Sequence, residues 1–297
     1  MQHSMSSPIP ESELMINADG SIFHLHLRPE QLADKVILVG DPGRVSLVAS
    51  HFNVVDHKVE SREFRSVTGR YQDKRLTVVS TGIGCDNIDI VLNELDALGN
   101  IDFSTRQVRD VHRMLELVRI GTCGGLQPYT PTGSYIISER SIGFDGLLNF
   151  YAGRSRVCDL AFETAFKEQV KWNPVLGNPY VVHADGELTA RISGRDDSRF
   201  IKGVTIACGG FYGPQGRMLR LPLADSDLNE KIRSFEYQGR HITNFEMESS
   251  ALAGLSALLG HKATTVCMVV ANRFAHKSDT GYHSSIDDLI QIVLDRI

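Results

Sequence analysis

Short β-rich runs alternate with helical stretches along this chain, and that alternation constrains the fold more than any other feature. Strands are predicted at 35–39, 62–71, 76–80, 115–120, 134–141, 204–207 and 263–271, and helices at 42–51, 86–98, 159–170, 248–259 and 285–296. Such alternation predicts an α/β fold: a central mixed, largely parallel twisted sheet that is flanked by helices. Ligands of such folds bind at the carboxyl ends of the strands.

Length and charge limit the number of domains and the classes of partner. With 297 residues and no linker or internal repeat, the chain is predicted to form one domain over residues 22–297, preceded by a flexible leader at 1–21. The formal net charge of −5 argues against a nucleic-acid partner, because binding to nucleic acid normally needs a basic surface. A few focused arginines could still bind a small anion.

The cysteines and the N-terminus bear on cellular location. Five cysteines, an odd number, form no CxxC pair and no regular framework, which favours a reducing compartment. The first residues lack the basic start and apolar core of a secretory signal, and no apolar run approaches the roughly 20 residues that span a bilayer. We therefore expect a cytoplasmic protein without a membrane partner.

Two segments combine arginine with glycine in the way that anion sites do. Gly40-Asp41-Pro42-Gly43-Arg44 follows a strand and opens a helix, so backbone N–H groups and Arg44 could face one anion. A turn with a surface arginine explains that segment equally well. In Val118 to Gly125, Arg119 interrupts an apolar strand and needs a partner if it is buried. We hypothesise a bound anion that Thr122 also contacts, and the alternative is an Arg–carboxylate pair beside a glycine turn.

Two further segments suit the base and the sugar of a nucleoside. Phe211 to Arg217 offers an aromatic face beside the Gln215 amide and the Arg217 guanidinium, which could read the polar edge of a planar pyrimidine. Asn244 to Ser249 carries the carboxylates of Glu246 and Glu248, which could accept hydrogen bonds from sugar hydroxyls. The alternative for the glutamates is an acidic helix N-terminus.

Other patterns are weaker. The glycines near Thr81-Gly82-Ile83-Gly84 do not complete GxGxxG, because residue 87 is Asn87, so a dinucleotide site is rejected. His24 and His26 are expected on one face of a strand, but no third ligand stands at metal spacing. Cys123 lacks an evident base and is predicted to be a filler residue. The sequence predicts no metal and no cofactor.

Several of these motifs, in this order, resemble the nucleoside phosphorylases of the uridine phosphorylase type. The resemblance runs from about residue 22 to the C-terminus. The segments that carry it are Phe23-His24-Leu25, Gly40-Asp41-Pro42, Arg62-Glu63-Phe64, Ser80-Thr81-Gly82-Ile83-Gly84, Arg119-Ile120-Gly121-Thr122, Phe211 to Arg217, Asn244 to Ser249 and Asn272-Arg273. Purine-specific members are expected to carry an aspartate where this chain has Asn272-Arg273, so the resemblance favours a pyrimidine base.

The resemblance also implies the role of each site residue. Phosphate would be bound by Gly40, Arg44, Arg119, Thr122 and, from a neighbouring subunit, Arg62. Ribose would be bound by Met247 and Glu248 at its 2′ and 3′ hydroxyls and by the neighbour's His24 near O5′. The base would be bound by Phe211, Gln215, Arg217 and Arg273. The residues expected to act in catalysis are Arg217, Gln215, Arg119 and Glu248.

The implied reaction is reversible phosphorolysis of uridine, with inorganic phosphate as co-substrate, in a homo-oligomer whose smallest active unit is a dimer. A hexamer is equally compatible with the sequence. Residues 100–113 look like an insertion relative to short bacterial members. The alternatives left open are a purine nucleoside phosphorylase, a nucleosidase that uses water, and a nucleoside-binding protein without turnover.

Overall fold

The computed structural model describes residues 7–273, 275, 277–278, 281 and 283–297. The chain divides into two compact units. Unit 1 comprises Met1–Gly82 and Ile90–Glu116, and unit 2 comprises Ile83–Asp89 and Leu117–Ile297. Among the described residues, no helix is both long and apolar enough to cross a membrane.

Unit 1 is built on a four-stranded sheet in the order β1-β4-β3-β2. Its strands are β1 (Lys35–Val39), β2 (Val54–Ser61), β3 (Phe64–Tyr71) and β4 (Lys74–Ser80), and a small hairpin is formed by β5 (Ile101–Asp102) and β6 (Gln107–Val108). β1 pairs with β4 in parallel, and β2, β3 and β4 pair antiparallel, so this sheet is mixed. The helices are α1 (Pro42–Ala49) and the residues from 90 onward of α2 (Cys85–Asn100).

The N-terminal segment contacts the predicted insertion within unit 1. Leu14 is buried, and the backbone N–H of Ile9 donates to the carbonyl of Arg106 at 2.8 Å. The Arg106 guanidinium in turn donates to the carbonyls of Ile9, Pro10 and Leu14. Residues 9–14 of the expected leader therefore pack on the hairpin of the insertion.

Unit 2 contains strands that curl back on themselves. They are β7 (Glu116–Gly125), β8 (Tyr135–Gly143), β9 (Tyr180–His183), β10 (Phe200–Ala207), β11 (Glu236–Tyr237), β12 (Arg240–Glu246), β13 (Lys262–Asn272) and β14 (Lys277–Ser278). The order is β11-β12-β10-β8-β13-β7, and β7 also pairs with β12, which closes five strands into a ring. β10 runs parallel to both β8 and β12, whereas β13 runs antiparallel to β8.

The helices of unit 2 flank these strands. They are α3 (Leu160–Gln169), α4 (Gly186–Ser193), α5 (Leu228–Ser234), α6 (Ser249–Leu259) and α7 (His283–Arg296), together with the first turn of α2. Side chains from Ser249 through Ser256 of α6 are all buried, so this helix lies inside the core rather than on its surface. The left-handed Gly260 ends it, as the sequence predicts.

The predicted α/β class, with a mixed sheet flanked by helices, is confirmed. The sequence predictions missed several elements that are short or carry few apolar residues at a regular spacing: β2, β5, β6, β9, β11, β12, β14, α4 and α5. The expected glycine turn after Arg119 is wrong, because β7 continues as a strand to Gly125. The domain boundaries at 1–21 and 22–297 stay predictions.

Candidate active site

Closure of the strand ring brings Arg119 to the acidic segment. The last residues of β7, Gly124 and Gly125, pair antiparallel with Phe245 and Asn244 of β12. The chain leaves β12 immediately after this pairing and enters α6. This register places the guanidinium of Arg119 among the carboxylates that follow β12.

Arg119 is buried and paired with two carboxylates. Its Nη2 donates to Glu248 Oε2 in a short contact, and its Nη1 lies 3.4 Å from Glu246 Oε2 and 3.7 Å from Cys267 Sγ. Burial disfavours the charged guanidinium, but Glu248 and Glu246 outweigh that effect and raise the pKa of Arg119. The Nε–H of Arg119 is buried and has no acceptor within the described residues.

Glu246 links this pair to helix α6. Its carboxylate accepts hydrogen bonds from the backbone N–H groups of Glu248 and Ser249, at 2.9 and 2.8 Å, and from the Ser249 hydroxyl at 2.6 Å. The acidic helix N-terminus that the sequence left as an alternative is therefore present: Glu248 is the N-cap residue, and Glu246 accepts its N–H and that of Ser249. Burial raises the pKa of Glu246 to about 7; Arg119 opposes that shift and Glu248 adds to it.

Glu248 also fixes the turn at the start of α2. Its Oε1 accepts the Gly84 N–H at 2.8 Å, where Gly84 adopts the left-handed φ of +104° that favours glycine. Next to it, the Cys85 thiol lies 3.1 Å from the carbonyl of Met247. The two predicted ribose residues of unit 2, Met247 and Glu248, are thus both held against residues 84–85.

Thr122 and the glycines of β7 occupy strand positions beside this cluster. A Cβ on Gly121 would overlap the Arg119 guanidinium and would lie 2.9 Å from Cys267 Sγ, so glycine is required for close packing rather than for a turn. Thr122 is partly exposed. Burial raises the pKa of the Cys123 thiol, in keeping with a filler residue rather than a nucleophile.

The predicted base-binding residues of 211–217 lie together in unit 2. Gln215 ends a 3-10 turn and is buried, and its Oε1 accepts a short hydrogen bond from Arg217 Nη1. The same Nη1 donates to the Phe211 carbonyl at 2.8 Å, and the guanidinium lies 3.8 Å from the centre of the Phe211 ring. Amide, guanidinium and half-exposed ring therefore form one cluster.

The Arg273 side chain holds the backbone of this cluster in place. Its Nη1 and Nη2 donate to the carbonyls of Gln215 and Gly216. Burial lowers the pKa of Arg273, and burial together with the nearby Arg273 charge lowers the pKa of Arg217. Among the described residues, neither arginine pairs with a carboxylate, so this cluster can accommodate negative charge.

Asn229 was not recognised as a contributor from the sequence, and Asn272 was noted only as standing where purine-specific members carry an aspartate. Asn229 of α5 donates to the same two carbonyls, of Gln215 and Gly216, at 3.3 and 3.2 Å. Asn272 is buried and donates to the carbonyls of Gln127 and Thr130. Asparagine in a helix is common, and so Asn229 gave no signal; the backbone contacts of Asn272 were not predicted either.

The remaining predicted residues lie in unit 1. Gly40 precedes α1. The first N–H groups of this helix are partly satisfied, because the Asp41 carboxylate accepts the Gly43 N–H at 2.8 Å, and Arg44 lies in the first turn.

Near the N-terminus, His24 lies in a turn and His26 follows it, so neither lies on the expected strand. The Phe23 ring lies between His24, with ring centroids 4.8 Å apart, and Arg62, whose guanidinium is 5.3 Å from its centre. The two residues assigned to a neighbouring subunit's site, His24 and Arg62, thus share one aromatic contact.

The fold and this cluster define an α/β enzyme of the phosphorylase class. The family model described as the Phosphorylase superfamily matches residues 34–297, and the chain belongs to that family. Uridine phosphorylase from Thermococcus kodakarensis is 28% identical over 92% of this chain and 83% of its own length. DeoD-type purine nucleoside phosphorylase from Oceanobacillus iheyensis is 26% identical over 92% of this chain and 98% of its own.

A solved structure extends the comparison to the fold. A Trypanosoma brucei nucleoside phosphorylase, described as showing uridine phosphorylase activity, superimposes with a TM-score of 0.87. The two sequences are 29% identical, and the match covers 95% of this chain and 98% of the other. The comparisons confirm the predicted family, the predicted fold class and the prediction that the chain is an enzyme. They do not bear on the individual site residues, whose roles stay predictions.

Proposed function

We propose that this enzyme phosphorolyses nucleosides and that its preferred substrate is uridine. Relatives named uridine phosphorylase, at 28% identity over most of the chain, support phosphorolysis of a nucleoside. The observation that carries the choice of uridine is the cluster of Gln215, Arg217 and Phe211, with Arg273 behind it. A carboxamide can donate to one atom of uracil and accept from its N3–H, while a guanidinium donates to a carbonyl oxygen.

Base binding would exchange partners within this cluster. Gln215 Oε1 and Arg217 Nη1 now satisfy each other, and the edge of uracil would replace that contact with two hydrogen bonds to the base. The ring of Phe211 would lie against the base. No aspartate stands at Asn272-Arg273, where one is expected in purine-specific members.

In the proposed reaction, an oxygen of phosphate forms a bond to C1′ of ribose while the bond from C1′ to N1 of uracil breaks. The electron pair of that bond leaves with the base, and Arg217 stabilises the resulting negative charge at O4. A proton from solvent completes uracil, and the other product is ribose 1-phosphate. Holding both reactants in line would supply much of the rate.

The predicted phosphate and ribose residues suit these roles chemically. The unsatisfied Nε–H of Arg119 can donate to a phosphate oxygen, as can the Thr122 hydroxyl. Each oxygen of the Glu248 carboxylate retains a lone pair beyond its bonds to Gly84 and Arg119, which a ribose hydroxyl can use. The resemblance also assigns Gly40, Arg44 and a neighbouring subunit's Arg62 to phosphate. We place the reaction in the cytoplasm and in a homo-oligomer.

Dependence on phosphate tests the reaction type. Purified protein is incubated with uridine, with and without inorganic phosphate, and the products are separated by chromatography. The proposal predicts equal amounts of uracil and ribose 1-phosphate, formed only when phosphate is present. Release of uracil without phosphate would identify a nucleosidase, and binding without products would identify a nucleoside-binding protein.

A further inference from the structure

Glu94 of α2 accepts three hydrogen bonds from the turn that carries His24. The donors are His24 Nδ1 at 2.6 Å, the His24 backbone N–H at 3.0 Å and the Leu25 backbone N–H at 2.8 Å. The side chains of His24 and Glu94 are 21% and 12% exposed, so solvent competes little for these bonds. Glu94 is not among the site residues expected from the sequence.

This contact decides which imidazole nitrogen carries the proton. An ionised carboxylate only accepts hydrogen bonds, and so Nδ1 of His24 must donate its proton to Glu94. In neutral imidazole the other nitrogen, Nε2, then has no proton and can only accept. The edge-to-face contacts of the imidazole with Phe23 and Phe64, at centroid distances of 4.8 and 6.4 Å, restrict the rotation of the ring.

We propose that Glu94 is a positioning residue for substrate recognition, which holds His24 as the Nδ1–H tautomer so that Nε2 accepts a hydrogen bond from the 5′-hydroxyl of the nucleoside. The proposal rests on the proposed function and on the resemblance, which assigns His24 of a neighbouring subunit to O5′ of the ribose. It adds a reason for the substrate class. In the Nδ1–H tautomer, Nε2 accepts from a hydroxyl and offers no donor to a 5′-phosphate, which favours nucleosides over nucleotides.

A merely structural role for Glu94 would have different consequences. In that case the carboxylate would only fold residues 22–27 onto α2, and its loss would affect every substrate alike. If Glu94 acts through His24, its loss affects only substrates that carry a 5′-hydroxyl. Comparing uridine with 5′-deoxyuridine separates the two roles.

The kinetic experiment uses the full-length Glu94→Gln variant. A carboxamide can donate to Nδ1 and so permits the opposite tautomer. We expect kcat/KM for uridine to fall about tenfold, the effect of one hydrogen bond, while the value for 5′-deoxyuridine changes less than about twofold. His26→Asn is the control, because His26 is exposed in the same segment, has a left-handed φ of +52° that asparagine tolerates, and should leave both values unchanged. An equal fall for both substrates would overturn the proposal.

A spectroscopic measurement tests the tautomer without relying on turnover or on a folded Glu94 variant. In ¹⁵N-histidine spectra of the wild-type protein at pH 8, His24 is assigned by the signal that is lost in His24→Asn. The proposal predicts a protonated Nδ1 and a bare Nε2, and a proton on Nε2 would overturn it. If the wild-type enzyme fails to cleave uridine, the proposed function falls, while the spectrum still decides which nitrogen of His24 carries the proton.

Discussion

Arg119 and Glu248 form an ion pair in which the side chains are only 5% and 4% exposed. The sequence assigns one of these residues to phosphate and the other to ribose, and the structure joins them directly. The Arg119 guanidinium also pairs with Glu246, so one positive charge faces two carboxylates in a buried cluster. The cluster would therefore connect the two substrates, and its charge balance should control both stability and turnover.

Replacement of Arg119 by glutamine should destabilise the protein by about 3–5 kcal/mol, because Glu246 and Glu248 would remain buried without a cation. Urea unfolding measures this change, and phosphorolysis of uridine should be lost. The double variant Arg119→Gln/Glu248→Gln should recover part of the lost stability but none of the activity. A double variant as unstable as the single one would contradict the buried pair as the cause.

The raised pKa of Glu246 predicts a pH dependence of stability. Because the folded pKa, about 7, lies above the ordinary value of 4.5, the folded protein holds more protons than the unfolded chain between these pH values. The contribution is therefore fully present below pH 4.5 and is lost as the pH rises through 7, by about 3 kcal/mol. Urea unfolding of wild type and Glu246→Gln from pH 5 to 8 should show curves that diverge by this order. Parallel curves would assign the titration to another group.

Replacement of Arg217 by alanine should chiefly lower kcat for uridine, by about a hundredfold, because the guanidinium would stabilise charge on the departing base. Arg220→Ala is the matched control, since Arg220 is an exposed arginine of the same segment. Steady-state kinetics with both variants measure the effect. Unchanged kcat in Arg217→Ala would remove this residue from leaving-group stabilisation.

Replacement of Arg273 by lysine should raise KM for uridine about fivefold, because an ammonium cannot reproduce the paired donors that hold the carbonyls of Gln215 and Gly216. The protein should remain folded, since Asn229 still donates to both carbonyls. Steady-state kinetics and thermal unfolding are measured together. A KM equal to that of wild type would show that Arg273 does not shape the base site.

The sequence predicted that Arg119 needs a partner but not which partner it has. The hypothesis from the sequence is a bound anion, whereas the structure pairs Arg119 with Glu248, which is the Arg–carboxylate alternative. The distance along the chain is 129 residues, and the pairing depends on closure of β7 against β12, which no local pattern encodes. The glycines of β7 looked like a turn because close side-chain packing and chain reversal both require glycine.

Other parts of the site gave weak signals or none. Helix α6 was predicted well because its apolar run ends at a glycine C-cap. Glu94 gave no signal, since a glutamate in an amphipathic helix is usually solvent-exposed and only the tertiary contact with His24 distinguishes it. Asn229 was missed for the same reason. A residue that positions another residue can be identified only from their contact in the folded structure, and a single sequence does not show such contacts.

The central claim is tested most directly by the ratio of kcat/KM for uridine to that for inosine, measured with saturating phosphate. A cluster built from Gln215, Arg217 and Arg273 to read a pyrimidine edge predicts that uridine is favoured by at least about a hundredfold. A ratio near one, or a preference for inosine, would contradict the assignment of this cluster to uracil and would identify a purine-directed phosphorylase on the same fold.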